Sequence, residues 1–202
     1  MSAPSSEEQH DLKKTRMVFV KWMKPPLGWF KLNTDGSSVQ QRKVAGGGGV
    51  IRDGFGNWVV GFSIGFDFRS SVMAELSALR DGLIIAKSVG IKKIVVELDA
   101  KVVVSLITNS SKTKKAINSS VMDCKNLLQG FEEYIIQHTY REGNRVADVL
   151  AKMGSYQADK FFIHYHYAPS NRETSFLLAL DNMNVLIARS MKSWRQDAWT
   201  QS

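Results

Sequence analysis

Four carboxylates stand where they could act together: Asp35, Glu75, Asp99 and Asp148. Asp35 lies in "KLNTDGSS". There Phe30, Leu32 and Thr34 take one face by the two-residue period of a strand, and Lys31, Asn33 and Asp35 take the other. Asp99 closes "IKKIVVELDA", with Ile94, Val96 and Leu98 on one face and Val95, Glu97 and Asp99 on the opposite one. Both acids therefore hold the same position, the end of a strand on the face away from the main apolar set. Glu75 borders the buried stripe of a helix, one residue before Leu76 and four before Leu79. Asp148 follows Asn144 by four residues, in the first turn of another helix beside Val146, Val149 and Leu150. Each acid alone has a structural explanation. An acid favours the first turn of a helix, Asp before Gly makes a turn, and a helical acid is usually solvated. Jointly they imply chemistry. Carboxylates held close raise one another's pKa unless cations neutralise them, and the cations suited to carboxylate and water ligands are Mg²⁺ and Mn²⁺.

The elements around these acids must bring them together. Residues 1–28 form a polar lead that "MKPPLGW" ends, because consecutive prolines resist helix and central strand alike. "WFKLNTDGS" is a first strand, and "AGGGGVIRDGFGNWVVGFSIGF" two more, joined at the turn pair Asp53-Gly54. "SSVMAELSALRDGLIIAKSVG" repeats Val72, Leu76, Leu79, Leu83 and Ala86 at helical spacing, with Ser70 or Ser71 as cap and Gly90 as stop. "IKKIVVELDA" then pairs parallel to the first strand, since a helical crossover precedes it. "KVVVSLITN" and "INSSVMDCKNLLQGF" follow as helices, "EYIIQHTY" as a fifth strand, and "NRVADVLAKMGSYQA" as a helix capped by Asn144. The order βββαβααβα defines an α/β domain over residues 29–157. Beyond it, 158–202 form an extension: "KFFIHYHYA" alternates like an edge strand. Phe176, Leu180, Met183, Ile187, Met191 and Trp194 mark one stripe of an amphipathic helix.

Composition narrows the partners. A net charge of +8 and a pI near 9.6 point to a polyanion, nucleic acid above all. The first ten residues lack the apolar centre of a secretory signal, no apolar run reaches membrane-spanning length, and the one cysteine, Cys124, fits a reducing compartment. An intracellular protein, nuclear or cytoplasmic, not secreted and with no membrane partner, is expected, and so is a monomer. Cys124 is expected to be buried on its helix, with no base to activate it.

The motifs "NTDGS", "AGGGGVIRD", "MAELSAL", "VVELDA" and "HTYREGNRVADVLAK" agree in order and spacing with type 1 ribonuclease H domains. "KWMKPPLGWFKLNTDGS" resembles the opening of the reverse-transcriptase-like subfamily common in plants. The resemblance covers roughly residues 20–155. It implies a ribonuclease H-like fold: a five-stranded mixed sheet of order 3-2-1-4-5 with helices on both faces. It further implies that Asp35, Glu75, Asp99 and Asp148 are the catalytic, metal-binding acids. Asp35 would bridge two Mg²⁺ ions about 4 Å apart, with Mn²⁺ as a substitute. The activity implied is endonucleolytic hydrolysis of the RNA strand of RNA–DNA hybrids, leaving 5′-phosphates. Selection would rest on groove shape and RNA 2′-hydroxyls. Gly36, Ser37, Glu75 and Asn144 are the implied nucleic-acid contacts. His138 takes an auxiliary role by analogy with a loop histidine that helps product leave, although it falls on the fifth strand. Ala100 replaces a serine frequent after the third acid. No long basic handle joins the middle helices; Lys112, Lys114 and Lys115 are the nearest equivalent.

A second reading is a catalytically inactive module of retroelement origin that binds nucleic acid or protein. A third, an integrase or resolvase relative, shares the metal logic without the motif match. Gly46–Gly49 lack the Gly-Lys-Ser/Thr of a nucleotide loop and instead keep a strand slim where nucleic acid or another backbone approaches. His164 and His166 share a strand face without a third metal ligand nearby. Trp22 and Trp29 could stack on bases, with Trp29 the better candidate to staple the lead to the core.

Overall fold

A computed structural model describes residues 15–109, 115–157, 161–165, 168–169, 172–183 and 185–192. The strands are β1 (Thr15–Val20), β2 (Phe30–Val39), β3 (Val44–Arg52), β4 (Trp58–Phe66), β5 (Lys93–Leu98), β6 (Glu133–His138), β7 (Phe161–Tyr165) and β8 (Ile187–Lys192). The helices are α1 (Ser71–Ser88), α2 (Lys101–Thr108), α3 (Lys115–Leu128), α4 (Arg145–Tyr156) and α5 (Arg172–Asn182). The main sheet is mixed, in the order β6-β5-β2-β3-β4-β7. Its first five strands reproduce the expected 3-2-1-4-5 order. The sheet has six strands, not five, because the alternating segment after residue 160 pairs antiparallel with β4.

Two layers of helix cover this sheet. Against one face lies α1, whose Leu76, Leu79, Leu83 and Ala86 are buried with Leu32, Ile51, Ile94, Val96 and Leu98. The Ser70 hydroxyl accepts from the Met73 N–H at the start of α1, and Gly90 turns the chain at φ +77° after its end. Helix α2 forms despite its valines because Val103 and Ile107 are buried in the same core. Against the other face lies α4, with Val146, Val149 and Leu150 packed on Val50. The glycines of β3 make this contact close. A Cβ at Gly46 or Gly48 would run into the α4 backbone at Ser155 or Ala151, so the approaching backbone is a helix of the same chain.

The face shared by Lys31, Asn33 and Asp35 is also buried. Lys31 Nζ donates to Glu97 Oε1 and to the Met23 carbonyl, each at 2.6 Å. Asn33 Nδ2 reaches Glu97 Oε2 at 3.1 Å, and its Oδ1 accepts from Trp22 Nε1 at 2.9 Å and Arg52 Nη2 at 3.0 Å. Arg52 stacks 3.5 Å over the Trp22 ring and donates to Asp181 Oδ2 at 2.8 Å. The polar alternation of β2 is thus a paired internal network, as buried charges require.

The described segments flanking the domain depart from expectation. The segment taken as a polar lead contributes β1, antiparallel to β8, and inserts Trp22 at 2% exposure. Trp22, and not the half-buried Trp29, staples that segment to the core. The long amphipathic helix does not form. Helix α5 ends at Asn182, where asparagines at 182 and 184 are poor helix formers, and Ile187 and Met191 belong to β8. Thr174, Leu177 and Asp181 are its buried residues; Phe176 and Met183 are 62% and 72% exposed. Trp194, His166, Lys112 and Lys114 lie outside the described residues. Among the described residues no helix is long and apolar enough to cross a membrane.

Candidate active site

Strands β2 and β5 run parallel as far as the pair Thr34–Leu98, and there they part. Beyond that point β2 continues to Val39 alongside β3, whereas β5 gives way to Asp99 and α2. Asp35 is therefore mid-strand and not terminal, but it stands with Asp99 at the mouth of a crevice between diverging strands. Such crevices at the carboxyl ends of parallel strands are where α/β sheets accommodate ligands. Gly36 fixes the position of Glu75. A Cβ there would collide with the backbone of Ala74 and Glu75, so its absence lets the second turn of α1 close on β2.

The result is a compact acidic group. Ligand oxygens of Asp35, Glu75 and Asp99 all lie within 4.8 Å of one another. Asp35 and Glu75 are only 6% and 8% exposed. Burial, then the charges of Asp99 and Asp148, pushes the Asp35 pKa up to about 7. Burial, then Asp35 and Asp99, raises Glu75 to about 9, opposed by a hydrogen bond from the Gly36 N–H. Glu75 Oε2 is buried with no hydrogen-bond partner. Three converging carboxylates, one with an orphaned oxygen, make a donor set that suits a hard divalent cation.

Asp148 lines the same pocket of about 370 Å³ but stands outside the tight trio. Its Oδ1 accepts from Arg141 Nη2 at 3.2 Å and its Oδ2 from Lys152 Nζ at 2.6 Å. Arg141 and Lys152, which the acid pattern alone does not reveal, line the pocket as its cations. "REGN" just before α4 was the available signal for Arg141, and the spacing of four after Asp148 was the signal for Lys152. Ser37 and Gly36 line the pocket as well. Asn144 precedes α4 but makes no side-chain cap; its Nδ2 donates to the Thr34 carbonyl at 2.9 Å, tying the helix to β2. His138 closes β6 opposite Leu98, with its ring edge-on to Tyr140 at 5.4 Å. It does not line the pocket, and burial followed by Lys101 lowers its pKa. Ala100 precedes α2 and leaves that helix without a side-chain cap. Cys124 is buried, donates to the Leu76 carbonyl and is pushed up to about 12 by that burial, so its thiol is inert at neutral pH. Lys115 opens α3, far in sequence from the acids.

The fold defined by this sheet is the ribonuclease H-like fold. RNase H1 of the halophilic archaeon Halobacterium salinarum superposes with a TM-score of 0.59 at 26% identity, over 62% of this chain and 96% of that one. LC11-RNase H1, solved in complex with an RNA/DNA hybrid, gives 0.58 at 22% identity, over 62% and 96%. A family model described as reverse transcriptase-like matches residues 33–154, and the chain belongs to that family. An Arabidopsis thaliana relative named "Putative ribonuclease H protein" is 36% identical over 132 residues, 65% of this chain. The aligned part is 21% of that relative's length, about one fifth of it.

Proposed function

We propose that the chain is a divalent-metal-dependent endonuclease that hydrolyses the RNA strand of RNA–DNA hybrids. The observation that carries the proposal is the convergence of Asp35, Glu75 and Asp99 within 4.8 Å at the parting of two parallel strands. Asp35, Glu75 and Asp99 are the residues that would hold Mg²⁺ or Mn²⁺, with Asp148 completing the set from α4. Bound there, such ions supply Lewis-acid charge to a phosphodiester and to water, and so favour in-line displacement. The relative's name and the hybrid in the LC11-RNase H1 complex support the substrate class.

The protein's own groups prepare the site. The Gly36 N–H holds the Glu75 carboxylate, leaving Oε2 free to accept from a hydroxyl or meet a cation. The backbone around Gly36 and Ser37 is open at the pocket wall, where a strand bearing 2′-hydroxyls can be distinguished from one without them. Lys152 neutralises Asp148 and, with Arg141, offsets some of the negative charge that would repel a phosphate. Cleavage of the RNA strand should leave a 5′-phosphate and a free 3′-hydroxyl.

Incubation of the purified chain with an end-labelled hybrid and Mg²⁺ tests this. RNA fragments are expected from the parent and none above background from Asp35→Asn. Equal products from both proteins, or none from either, would contradict it. Hybrid binding without cleavage would instead support the inactive nucleic-acid-binding module.

A further inference from the structure

The turn between β6 and α4 is gripped from β8 and lies beside the segment that follows β1, and it presents one cation to the acidic pocket. The turn is Arg141–Gly143. Both carboxylate oxygens of Glu142 accept from one nitrogen of Arg189 on β8: Nη1 lies 2.8 Å from Oε2 and 3.1 Å from Oε1. The same guanidinium lies 4.9 Å over the Tyr140 ring. Arg145 Nε donates to the Glu142 carbonyl at 3.0 Å. Beneath the turn, buried Gly143 packs near Thr139, and the next chain segment that a Cβ there would meet is the Lys21 carbonyl, 3.8 Å away, just after β1. Asn144 then anchors the turn to β2.

Only the Arg141 side chain points out of this clamp. It is 67% exposed and lines the carboxylate pocket. Its hold on Asp148 is a single 3.2 Å contact, whereas Lys152 reaches the other oxygen of Asp148 at 2.6 Å. Arg141 can therefore leave Asp148 without stranding an unpaired charge. Guanidinium has five N–H donors in a planar fork that matches phosphate oxygens. A phosphodiester entering a pocket of four acids meets repulsion that this group is placed to offset.

Resting on the hybrid-binding reading above, we infer that Arg141 is the residue that takes a backbone phosphate of the nucleic acid at the acidic pocket, and that Arg189 of the C-terminal extension is its positioning residue through Glu142. The extension is thereby part of the substrate site. It sets the turn from which Arg141 reaches.

The test uses the full chain and an RNA–DNA hybrid, with affinity measured in EDTA across a salt series and steady-state kinetics measured in Mg²⁺. Arg141→Ala should weaken binding about tenfold and lower the salt slope by about 1. Arg189→Ala should weaken binding about threefold and raise KM, yet keep the parent's salt slope, because the phosphate-facing charge is still present. Arg189→Lys should recover part of this loss, because one ammonium nitrogen can meet both Glu142 oxygens but lacks the planar group that lies over Tyr140. Glu142→Gln separates positioning from bulk electrostatics. Loss of a negative charge alone would tighten binding to a polyanion, whereas loss of the clamp weakens it. Parent affinity and slope in Arg141→Ala, or tighter binding in Glu142→Gln, would overturn the inference. So would an Arg189→Ala loss that tracks only a fall in melting temperature. A parent that binds hybrid in EDTA but does not cut in Mg²⁺ would remove the nuclease reading and leave Arg141 to be decided by the binding series. A parent that binds no hybrid would overturn both.

Discussion

Asp35 and Glu75 are carboxyl groups that folding makes reluctant to ionise, and the cause is visible in their surroundings. Both are buried, and each faces other acids before it meets a cation. An unfolded carboxyl titrates near 4. The folded values of about 7 for Asp35 and about 9 for Glu75 lie above this. The folded state thus keeps protons that the unfolded chain releases. The associated stability is complete below pH ~4 and is lost as pH rises through 7 and then 9. In EDTA, Asp35→Asn should therefore melt at a higher temperature than the parent at pH 8, and the gap should shrink toward pH 4. A size of ~1–2 kcal/mol is expected for relief of one like-charge contact in such a cluster. Melting curves from pH 4 to 9 check this, and a gap independent of pH would refute it. The same substitution should remove cleavage, so stability and activity move in opposite directions at one residue.

At the scale of elements, the site depends on how a few of them begin and dock. Helix α2 starts at Ala100 without a side-chain cap, directly after Asp99. Ala100→Ser should supply the missing acceptor for an α2 N–H and raise stability by about 0.5–1 kcal/mol, read as a higher urea midpoint at unchanged slope. Helix α5 docks through Asp181, which pairs with fully buried Arg52 at 2.8 Å and with Arg145 at 3.5 Å. Asp181→Ala leaves a buried guanidinium without its carboxylate and should cost ~3 kcal/mol. Denaturant melts of the full chain measure it, and a loss below about 1 kcal/mol would show that water replaces the carboxylate there. Arg52 also stacks on Trp22, so segments from before β2 and from α5 meet in one network on the sheet face that carries Asp35.

Across the whole molecule, the parts legible in the sequence were those governed by local pattern. The two-residue alternation of β2 and β5 put Asp35 and Asp99 on one face, and the apolar stripe of α1 put Glu75 at its border. The crossover rule gave the parallel pairing that brings β2 and β5 side by side. What escaped depends on contacts between distant segments. Strands β1 and β8 pair across the length of the chain, and neither carries an alternation strong enough to declare itself. The continuous helical stripe read from Phe176 to Trp194 failed because helical spacing persisted at Ile187 and Met191, whose backbone pairs with β1. Lys31, Asn33 and Glu97 read only as the face opposite the apolar set; in the fold Lys31 and Glu97 pair with each other, and Trp22 and Arg52 arrive from elsewhere to bond Asn33, with Asp181 in turn pairing Arg52. Arg141 was within reach of the sequence in "REGN", but a cation seven residues before an acid declares its contact only once the turn before α4 is formed.

The net charge of +8 completes the account at this scale, because a polyanion must reach a pocket that is itself acidic. In the proposed reading, charge over the molecule would draw nucleic acid in, and divalent cations would make the pocket tolerable to it. The measurement that tests this most directly is a calorimetric Mn²⁺ titration of the parent and of Asp35→Asn at pH 8. Saturable binding by the parent, with release of protons from the raised carboxyls and loss of that signal in Asp35→Asn, is the predicted result. Identical isotherms for the two proteins would contradict the claim that these acids form one metal centre.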